Sequence, residues 1–324
     1  MTINHLWKHI LRNNFTKIQE LATYLELTEE QVLEIDTAPT FLLNLPQRLA
    51  AKIEKGTLDD PIFKQFVPLK KENLKTPGFV LDPVQDVQFR KEAKLLHKYE
   101  GRALIVSTSA CAMHCRYCFR KNFPYETNTP DFEKELAIIE RDSTITEVLL
   151  SGGDPLSLSN RTLQELLSRL GDIPHLKRLR FHTRFPIGIP ERIDASFLAT
   201  LKEFPKQIWF VIHSNHPREF DDDVWHALKE IQKLGIPVLN QSVLLQGIND
   251  HPDILEELSA TLIDHGVSPY YLHQLDRVQG TSHFEVAELQ GREIVTEHQK
   301  RLPGYAVPRY VQEIPGEPSK TLLQ

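Results

Sequence analysis

The sequence predicts an α/β fold, in which a helical N-terminal extension precedes a partial (β/α)6 barrel. From Arg102 onward, β-rich runs alternate with amphipathic helical patterns, and after the first gap their starts lie about 30 residues apart, the size of a strand, crossover helix and return. There are six such runs, two short of a closed eight-stranded barrel. Residues 1 to about 95 instead carry apolar residues at helical spacing. An open doubly wound sheet is the alternative for the main domain.

The predicted strands are rich in β-branched and aromatic residues. They are ALIVS from residue 103, TEVLLSG from 146, LKRLRFHT from 176, QIWFVIH from 207, IPVLNQSVLL from 236 and VSPYYLHQL from 267. The segment SNRTLQELLSRLGDI opens with a capping residue, places leucines on one face and reaches a glycine near its end, which predicts a helix. Such an array predicts a parallel sheet with its chemistry at the C-terminal ends of the strands.

The N-terminal extension is expected to cover residues 1–95, and the barrel residues 96–324. Thr28, followed by Glu30 and Gln31, predicts a helix start within the extension. The stretch TPGFVLDPVQD carries two prolines and no helical period, so we expect an extended connector there. We expect the helices of the extension to pack on the barrel.

The composition is that of an ordinary globular protein. Hydrophobic residues make up 40% and charged residues 25% of the 324 positions, which argues against disorder and against a fibrous class. The net charge of -6 argues against a general polyanion-binding surface, so we expect no nucleic-acid partner. No apolar run approaches the roughly 18 residues of a membrane helix, and the N-terminus does not resemble a signal peptide. We therefore expect a cytoplasmic protein without a membrane partner.

All three cysteines lie in one short stretch, STSACAMHCRYCFRKNF, directly after the first barrel strand. They are Cys111, Cys115 and Cys118. An odd count without a signal peptide favours reduced thiols, and hence ligation or redox chemistry. A zinc site with His114 as fourth ligand, in a zinc-stabilised binding module, is one interpretation, although no second pair of ligands follows. The other is an iron–sulfur cluster, in which three thiolates would leave one iron of a 4Fe–4S cluster open to a small molecule.

The Cys-x3-Cys-x2-Cys spacing, followed after the second strand by SGGDPL, resembles the radical S-adenosylmethionine superfamily, whose fold is a partial TIM-like barrel. The resemblance implies that the open iron binds S-adenosyl-L-methionine and that Ser151, Gly152, Gly153 and Asp154 lie beside it. The two glycines permit close backbone approach, and the carboxylate of Asp154 can position a cation.

Further stretches, from about Tyr99 to Lys320, resemble the lysine 2,3-aminomutase family. The match to EIPGEPSK implies that Lys320 binds pyridoxal 5'-phosphate covalently. The match to HKYEGRALIV implies that Tyr99 lies against the pyridine ring, while Arg102 and Lys98 hold the phosphate. An aromatic face and fixed cations suit such a cofactor.

The resemblance also implies a site for the substrate, L-lysine. Arg120 in CRYCFRK would hold its carboxylate, and Asp276 and Glu313 its distant ammonium. HSNHP and NQSVLLQGIND imply S-adenosylmethionine contacts by His213 and Gln241. The family usually has aspartate at the position of Glu313, and a glycine run where this chain has GEPS.

The implied reaction is a radical 1,2-amino shift that converts L-lysine to β-lysine, with flavodoxin or ferredoxin as electron donor. The sequence ends at TLLQ without the C-terminal extension of the lysine-catabolising enzymes. It thereby resembles the group that makes β-lysine for translation elongation factor P (EF-P), with EF-P or its lysylating enzyme as partner. The alternative enzyme is a radical S-adenosylmethionine enzyme that modifies a protein or RNA without pyridoxal phosphate.

Overall fold

A computed structural model describes residues 6–126 and 131–323. In this part of the chain, ten strands form a single sheet in sequential order. They are β1 (Arg90–Glu92), β2 (Leu95–Tyr99), β3 (Arg102–Val106), β4 (Glu147–Ser151), β5 (Arg178–Thr183), β6 (Gln207–His213), β7 (Val238–Val243), β8 (Ser268–His273), β9 (Arg309–Gln312) and β10 (Thr321–Leu322).

The middle of the sheet is parallel. Strands β3 to β9 pair in parallel, and β1, β2 and β10 add antiparallel pairs at the two edges. The predicted strands correspond to β3 through β8, so the α/β class and the parallel array are confirmed. The four remaining strands were not predicted, because β1 and β10 have only three and two residues and at least half of the residues in β2 and β9 are not buried.

Helices fill the connections and the N-terminal extension of the described chain. They are α1 (Leu6–Arg12), α2 (Ile18–Tyr24), α3 (Glu29–Glu34), α4 (Gln47–Ala50), α5 (Pro61–Phe66), α6 (Glu133–Arg141), α7 (Asn160–Asp172), α8 (Phe185–Gly188), α9 (Ala195–Glu203), α10 (Asp222–Gln232), α11 (Pro252–Asp264) and α12 (Glu288–Arg301). None of them is long and apolar enough to cross a membrane.

Two predicted helix starts are confirmed by their caps. Thr28 caps α3, because its hydroxyl accepts a hydrogen bond from the Gln31 amide and the Gln31 side chain accepts one from the Thr28 amide. Ser159 caps α7 by accepting from the Thr162 amide at 3.1 Å.

The N-terminal extension shares its core with the barrel. One buried apolar cluster contains Trp7, Leu49 and Phe63 of the extension together with Leu150 and Phe181 of the sheet. The expected boundary at residue 95 falls where β2 begins, within the β1–β2 hairpin. The extension is therefore packed against the barrel along a continuous apolar interface.

The sheet curves until side chains from its two ends meet. Lys98 and Tyr99 of β2 hydrogen-bond or pair with Glu313, which follows β9 directly. The Lys320 ammonium, just before β10, joins the same carboxylate at 2.6 Å. Ionic contacts thus link the two ends of the partial barrel, and Lys320 lies at their junction.

Candidate active site

A cavity of about 590 Å3 runs along the inner face of the sheet. It extends from residues near the starts of strands, such as Arg102 and Glu147, to residues at strand ends, such as Ser151 and His213. Its lining contains most of the residues expected from the sequence: Lys98, Tyr99, Arg102, Arg120, Ser151, His213, Gln241, Asp276, Glu313 and Lys320. Side chains separated by more than 200 positions in the chain therefore face one space.

The three cysteines occupy the loop between β3 and α6, and all are free thiols. Burial, the nearby Asp154 and the two other thiols raise the pKa of Cys111 well above its ordinary value. Burial and the nearby Cys115 raise the pKa of Cys118 to about 11. The thiols are thus close enough to interact electrostatically. Within residues 6–126 and 131–323, however, no three ligand side chains are already gathered as a metal site, so joint ligation by these cysteines stays a prediction.

The N-terminal extension holds the cysteine loop through its backbone. The Asn44 side chain donates to the Cys111 carbonyl at 3.1 Å, and the Asn14 side chain donates to the Ala112 carbonyl at 2.8 Å. The Asn44 carbonyl also accepts from the His114 amide at 3.0 Å. These bonds tie the backbone of the cysteine loop to the N-terminal extension.

His114, considered above as a zinc ligand, faces the extension. Its Nδ1 lies 2.8 Å from the Leu42 carbonyl oxygen, and its ring stacks on Phe41 with centroids 4.7 Å apart. The neighbouring Arg116 is buried, pairs with Glu72 through two of its nitrogens, and donates to the Phe41 carbonyl. Both side chains therefore anchor the loop to the extension.

The glycine pair after β4 fits against the backbone that leads into the first cysteine. A Cβ at Gly153 would lie 2.3 Å from the Ala110 carbonyl oxygen, and one at Gly152 would lie 2.9 Å from the Thr108 carbonyl oxygen. Gly152 also has a φ of +118°, a conformation that L side chains rarely adopt. The close approach expected from the sequence is thus present, but its partner here is the cysteine loop itself.

Asp154 is used within the protein. Its buried carboxylate accepts hydrogen bonds from the Thr183 hydroxyl and from the backbone amides of Leu156, Arg184 and Phe185. Burial nevertheless raises its pKa above the ordinary value. The carboxylate thus ties the end of β4 to the end of β5, and its expected role in positioning a cation stays a prediction.

Arg120 is buried between two partners in the cavity. Its Nε donates to the Asp86 carboxylate at 2.8 Å, and one terminal nitrogen donates to the Ser151 hydroxyl at 3.2 Å. Asp86 was not identified from the sequence, because the stretch around it predicted only an extended connector. Asp82 supports it by accepting from the Asp86 and Val87 amides.

Glu313 joins the groups expected to bind pyridoxal phosphate. Its carboxylate accepts from the Tyr99 hydroxyl and lies 2.6 Å from both the Lys98 and the Lys320 ammonium. Burial acts to raise its pKa, but Lys320, Lys98 and Tyr99 together lower it to about 2. The Arg102 guanidinium lies 4.4 Å from the centre of the Tyr99 ring. Glu313 thus lies in a cluster with three cationic side chains, those of Lys98, Arg102 and Lys320, and with the Tyr99 ring.

Asp276 has the opposite electrostatic environment. Burial raises its pKa to about 7; nearby Glu313 and Asp86 act in the same direction, and Lys320 acts against them. The two carboxyl groups expected to bind the substrate ammonium therefore differ, since Glu313 stays ionised while Asp276 gains a proton near neutral pH.

Several cavity residues were not identified from the sequence. His182 Nδ1 lies 3.2 Å from His213 Nε2, and burial, with nearby Arg180, lowers the pKa of His182 well below its ordinary value. The Nε2 atoms of His182 and His273 are buried without a partner. Strand alternation could have identified both histidines as cavity residues, since alternate residues of β5 and β8 share the face that lines the cavity.

Comparison with known proteins identifies the family. Residues 105–258 match the Radical SAM superfamily. The chain is 41% identical over 320 residues to the L-lysine 2,3-aminomutase of Haemophilus influenzae, covering 98% of this chain and 95% of that protein. The chain belongs to the L-lysine 2,3-aminomutase family. The Escherichia coli enzyme of that name is 40% identical over 98% of this chain and 94% of its own length, and the Clostridium subterminale enzyme is 31% identical over 97% and 77%.

Membership makes this protein a radical S-adenosylmethionine isomerase, and the cofactors of the family are a 4Fe–4S cluster, S-adenosylmethionine and pyridoxal phosphate. The cavity fits such polar ligands. Its two unpartnered imidazole nitrogens, on His182 and His273, require hydrogen-bond partners that the described chain does not supply. The cysteine loop provides three thiols, the donors that an iron–sulfur cluster takes.

Proposed function

We propose that this isomerase converts L-lysine to β-lysine by a pyridoxal-phosphate-dependent 1,2-amino shift. Cys111, Cys115 and Cys118 would hold the 4Fe–4S cluster, and Lys320 would hold pyridoxal phosphate. The main support is one cavity of about 590 Å3 that is lined by the residues expected to bind pyridoxal phosphate and the substrate, together with Ser151, His213 and Gln241. When bound, the cluster and S-adenosylmethionine supply the radical, and pyridoxal phosphate supplies an electron sink.

The residues near Lys320 suit an anionic cofactor with a flat ring. Lys98 and Arg102 provide positive charge beside the Tyr99 ring. Fixed cations of this kind neutralise a phosphate, and a tyrosine face supports a heteroaromatic ring. Glu313 holds the Lys320 ammonium at 2.6 Å and so fixes the direction from which this side chain enters the cavity.

The substrate would lie between two charged ends. Arg120 has a donor on the cavity side and is held by Asp86, so it can bind the carboxylate of lysine. Glu313 already binds an alkyl ammonium, that of Lys320, and the distant ammonium of lysine has the same chemistry. Asp276 lines the same cavity.

The two acidic residues would take different roles. Glu313, whose pKa the neighbouring Lys320, Lys98 and Tyr99 lower to about 2, is negative in this structure and can bind a cation. Asp276, with a pKa of about 7, can hold or release a proton during turnover. Two carboxyl groups in one site take different roles when their environments push their pKa values apart.

The activity is tested under anaerobic conditions with iron-reconstituted protein, L-lysine, S-adenosylmethionine, pyridoxal phosphate and a strong reductant. Chiral separation should find β-lysine that depends on every component. Steady release of 5'-deoxyadenosine without β-lysine would contradict the aminomutase proposal and would direct the search to a protein or RNA substrate.

The role of Lys320 is tested by Lys320→Ala, with the exposed Lys91→Ala as matched control. We expect Lys320→Ala to keep its iron and sulfide content and to lose turnover completely, since no other amine would hold the cofactor. Borohydride reduction followed by peptide mapping should find the pyridoxyl group on Lys320 in the wild-type protein and in Lys91→Ala. A pyridoxyl group on another lysine, or an active Lys320→Ala, would remove Lys320 from the mechanism.

We further propose that the product is used to modify EF-P, with flavodoxin or ferredoxin as the electron donor. The chain is 39–41% identical to relatives of which it covers 94–95%, and 31–35% identical to longer ones of which it covers 68–77%. The higher identity to the shorter enzymes supports placing this chain with them and not with the longer enzymes. The enzymatic β-lysine is offered to the EF-P lysylating enzyme together with EF-P, and the mass of EF-P is measured. An unmodified EF-P would contradict this use of the product.

A further inference from the structure

Arg184, the first residue after β5, contacts the sulfur of one cysteine. Its Nη1 donates to Cys115 Sγ at 3.0 Å and also to the Tyr117 hydroxyl. The side chain is only 6% exposed, so water does not weaken these bonds. A guanidinium cannot lose its proton in a protein, and the donor therefore stays a donor at every working pH.

A set of buried partners holds this guanidinium in place. Nη2 donates to the Glu219 carboxylate at 2.6 Å and to the Gln65 side-chain oxygen at 2.7 Å. Glu219 in turn accepts from the Asn215 amide at 2.8 Å and from the Gln65 amide nitrogen at 3.2 Å. Gln65 belongs to α5, so the N-terminal extension takes part in orienting an arginine of the barrel.

The surroundings leave the side chain little freedom to move. The Arg184 amide donates to the Asp154 carboxylate at 2.8 Å, which fixes the backbone. The guanidinium carbon lies 4.6 Å from the centre of the Phe66 ring. Tyr117, which accepts from Arg184, also accepts from the Asn215 side chain at 2.6 Å.

We propose that Arg184 raises the reduction potential of the iron–sulfur cluster by donating a hydrogen bond to the sulfur of Cys115, and that Glu219 limits this effect. The inference rests on the proposed ligation of the cluster by Cys115. Reduction adds negative charge to a cluster and its thiolates, so a fixed cationic donor at a ligand sulfur stabilises the reduced state. The buried carboxylate of Glu219 partly neutralises that cation and acts in the opposite direction.

Opposite effects of the two residues separate this role from a merely structural one. A buried ion pair that only supports the fold would be damaged in the same way by loss of either partner. If the pair instead tunes the cluster, loss of Arg184 and loss of Glu219 should shift the reduction potential of the cluster in opposite directions. Arg184→Gln should make the cluster harder to reduce, and Glu219→Gln should make it easier to reduce.

The test is an anaerobic redox titration of reconstituted protein, followed by the electron paramagnetic resonance signal of the reduced cluster. We expect Arg184→Gln to lower the one-electron reduction constant roughly tenfold or more, which is about 59 mV. Glu219→Gln should raise it, and Arg184→Lys should fall between Arg184→Gln and the wild type, because a lysine keeps the charge but not the planar donor. Arg48→Gln is the matched control, since Arg48 also links the extension to acidic residues of the barrel, but its hydrogen bonds go to carboxylates and not to a cysteine sulfur.

Equal reduction potentials in the wild type, Arg184→Lys and Glu219→Gln would overturn the proposal. A shift of the reduction potential in the same direction in Arg184→Gln and Glu219→Gln would also overturn it. If Arg184→Gln fails to fold, the comparison of Glu219→Gln with Arg184→Lys still decides. Iron and sulfide analysis keeps the two proposals apart. A wild-type protein that binds no cluster refutes the proposed function, whereas unchanged potentials in cluster-containing variants refute only the role of Arg184.

Discussion

The cysteine loop and the surroundings of Lys320 are held by different interactions. Contacts to the backbone shape the cysteine loop, where Gly153 fits against Ala110 and the Asn44 side chain holds the Cys111 carbonyl, and the buried Arg116 and Arg184 add polar contacts. Charged side chains dominate on the lysine side, where Glu313 holds Lys320 and Lys98. Close backbone packing leaves no room for change, whereas ion pairs respond to pH and to the arrival of other charges.

This difference suits the expected ligands. A cluster ligated through one loop needs that loop in a single conformation, which backbone hydrogen bonds and a glycine contact provide. A lysine that must bond to a cofactor and a carboxylate that must bind a substrate ammonium need contacts that can be exchanged. Residues 316–319 before Lys320 are exposed, which leaves this segment room to move.

The largest effect should come from Gly153→Ala. The new methyl carbon would lie 2.3 Å from the Ala110 carbonyl oxygen and 2.7 Å from the Ser109 carbonyl carbon, so the cysteine loop must shift. We expect the free energy of unfolding to fall by about 3 kcal/mol or more and the protein to lose its iron. Denaturant unfolding and iron analysis measure the two effects.

Gly304→Ala is the control for this substitution. Nothing lies within 4 Å of a Cβ at Gly304, so its stability and iron content should equal those of the wild type. If Gly153→Ala retained a full complement of iron, the glycine contact would have no part in shaping the cysteine loop.

The ion pairs that Glu313 makes with Lys320 and Lys98 should make the stability of the protein depend on pH. The pKa of Glu313 falls from its ordinary 4.5 to about 2, because Lys320, Lys98 and Tyr99 outweigh the opposing effect of burial. A depressed carboxyl pKa stabilises the fold fully above pH 4.5, and that stabilisation is lost as pH falls toward 2. Glu313→Gln should therefore cost about 2 kcal/mol of unfolding free energy at pH 7 and progressively less below pH 4.5.

Urea unfolding of wild type and Glu313→Gln at stepwise pH values measures this difference. Glu20→Gln is the matched control, because it removes an exposed partner of Lys17 and should leave stability unchanged. A stability difference that stayed constant from pH 7 to pH 3 would show that Glu313 acts through packing and not through its charge.

The site residues that could be predicted from the sequence are those that lie close together along the chain. Cys111, Cys115 and Cys118 form a local motif, and SGGDPL follows after one β/α unit, so both could be found directly. Lys320 could be placed only through resemblance to a family, because an isolated lysine near a chain end has no pattern of its own. The alternation of strands and helices likewise predicted β3 to β8.

The supporting residues could not be predicted, because their partners are remote in sequence. Gln65 reaches Arg184 across 119 positions, and Lys98 reaches Glu313 although they belong to opposite ends of the sheet. Asp86 lies in a segment whose prolines indicated only an extended connector. Such contacts depend on tertiary packing, and no local periodicity encodes them.

The smallest effect should come from Asn44→Ala, which removes one of the side chains that hold the backbone of the cysteine loop. Its side chain accepts from Asn14 at 2.7 Å and donates to the Cys111 carbonyl at 3.1 Å. Loss of these bonds should cost about 1 kcal/mol and should accelerate the release of iron to a chelator severalfold. Asn73→Ala, which loses only an exposed bond to Asp36, is the control. If the two variants released iron at the same rate, the hold on the cysteine loop would come from the glycine contact and the other backbone bonds, and the N-terminal extension would contribute little through Asn44.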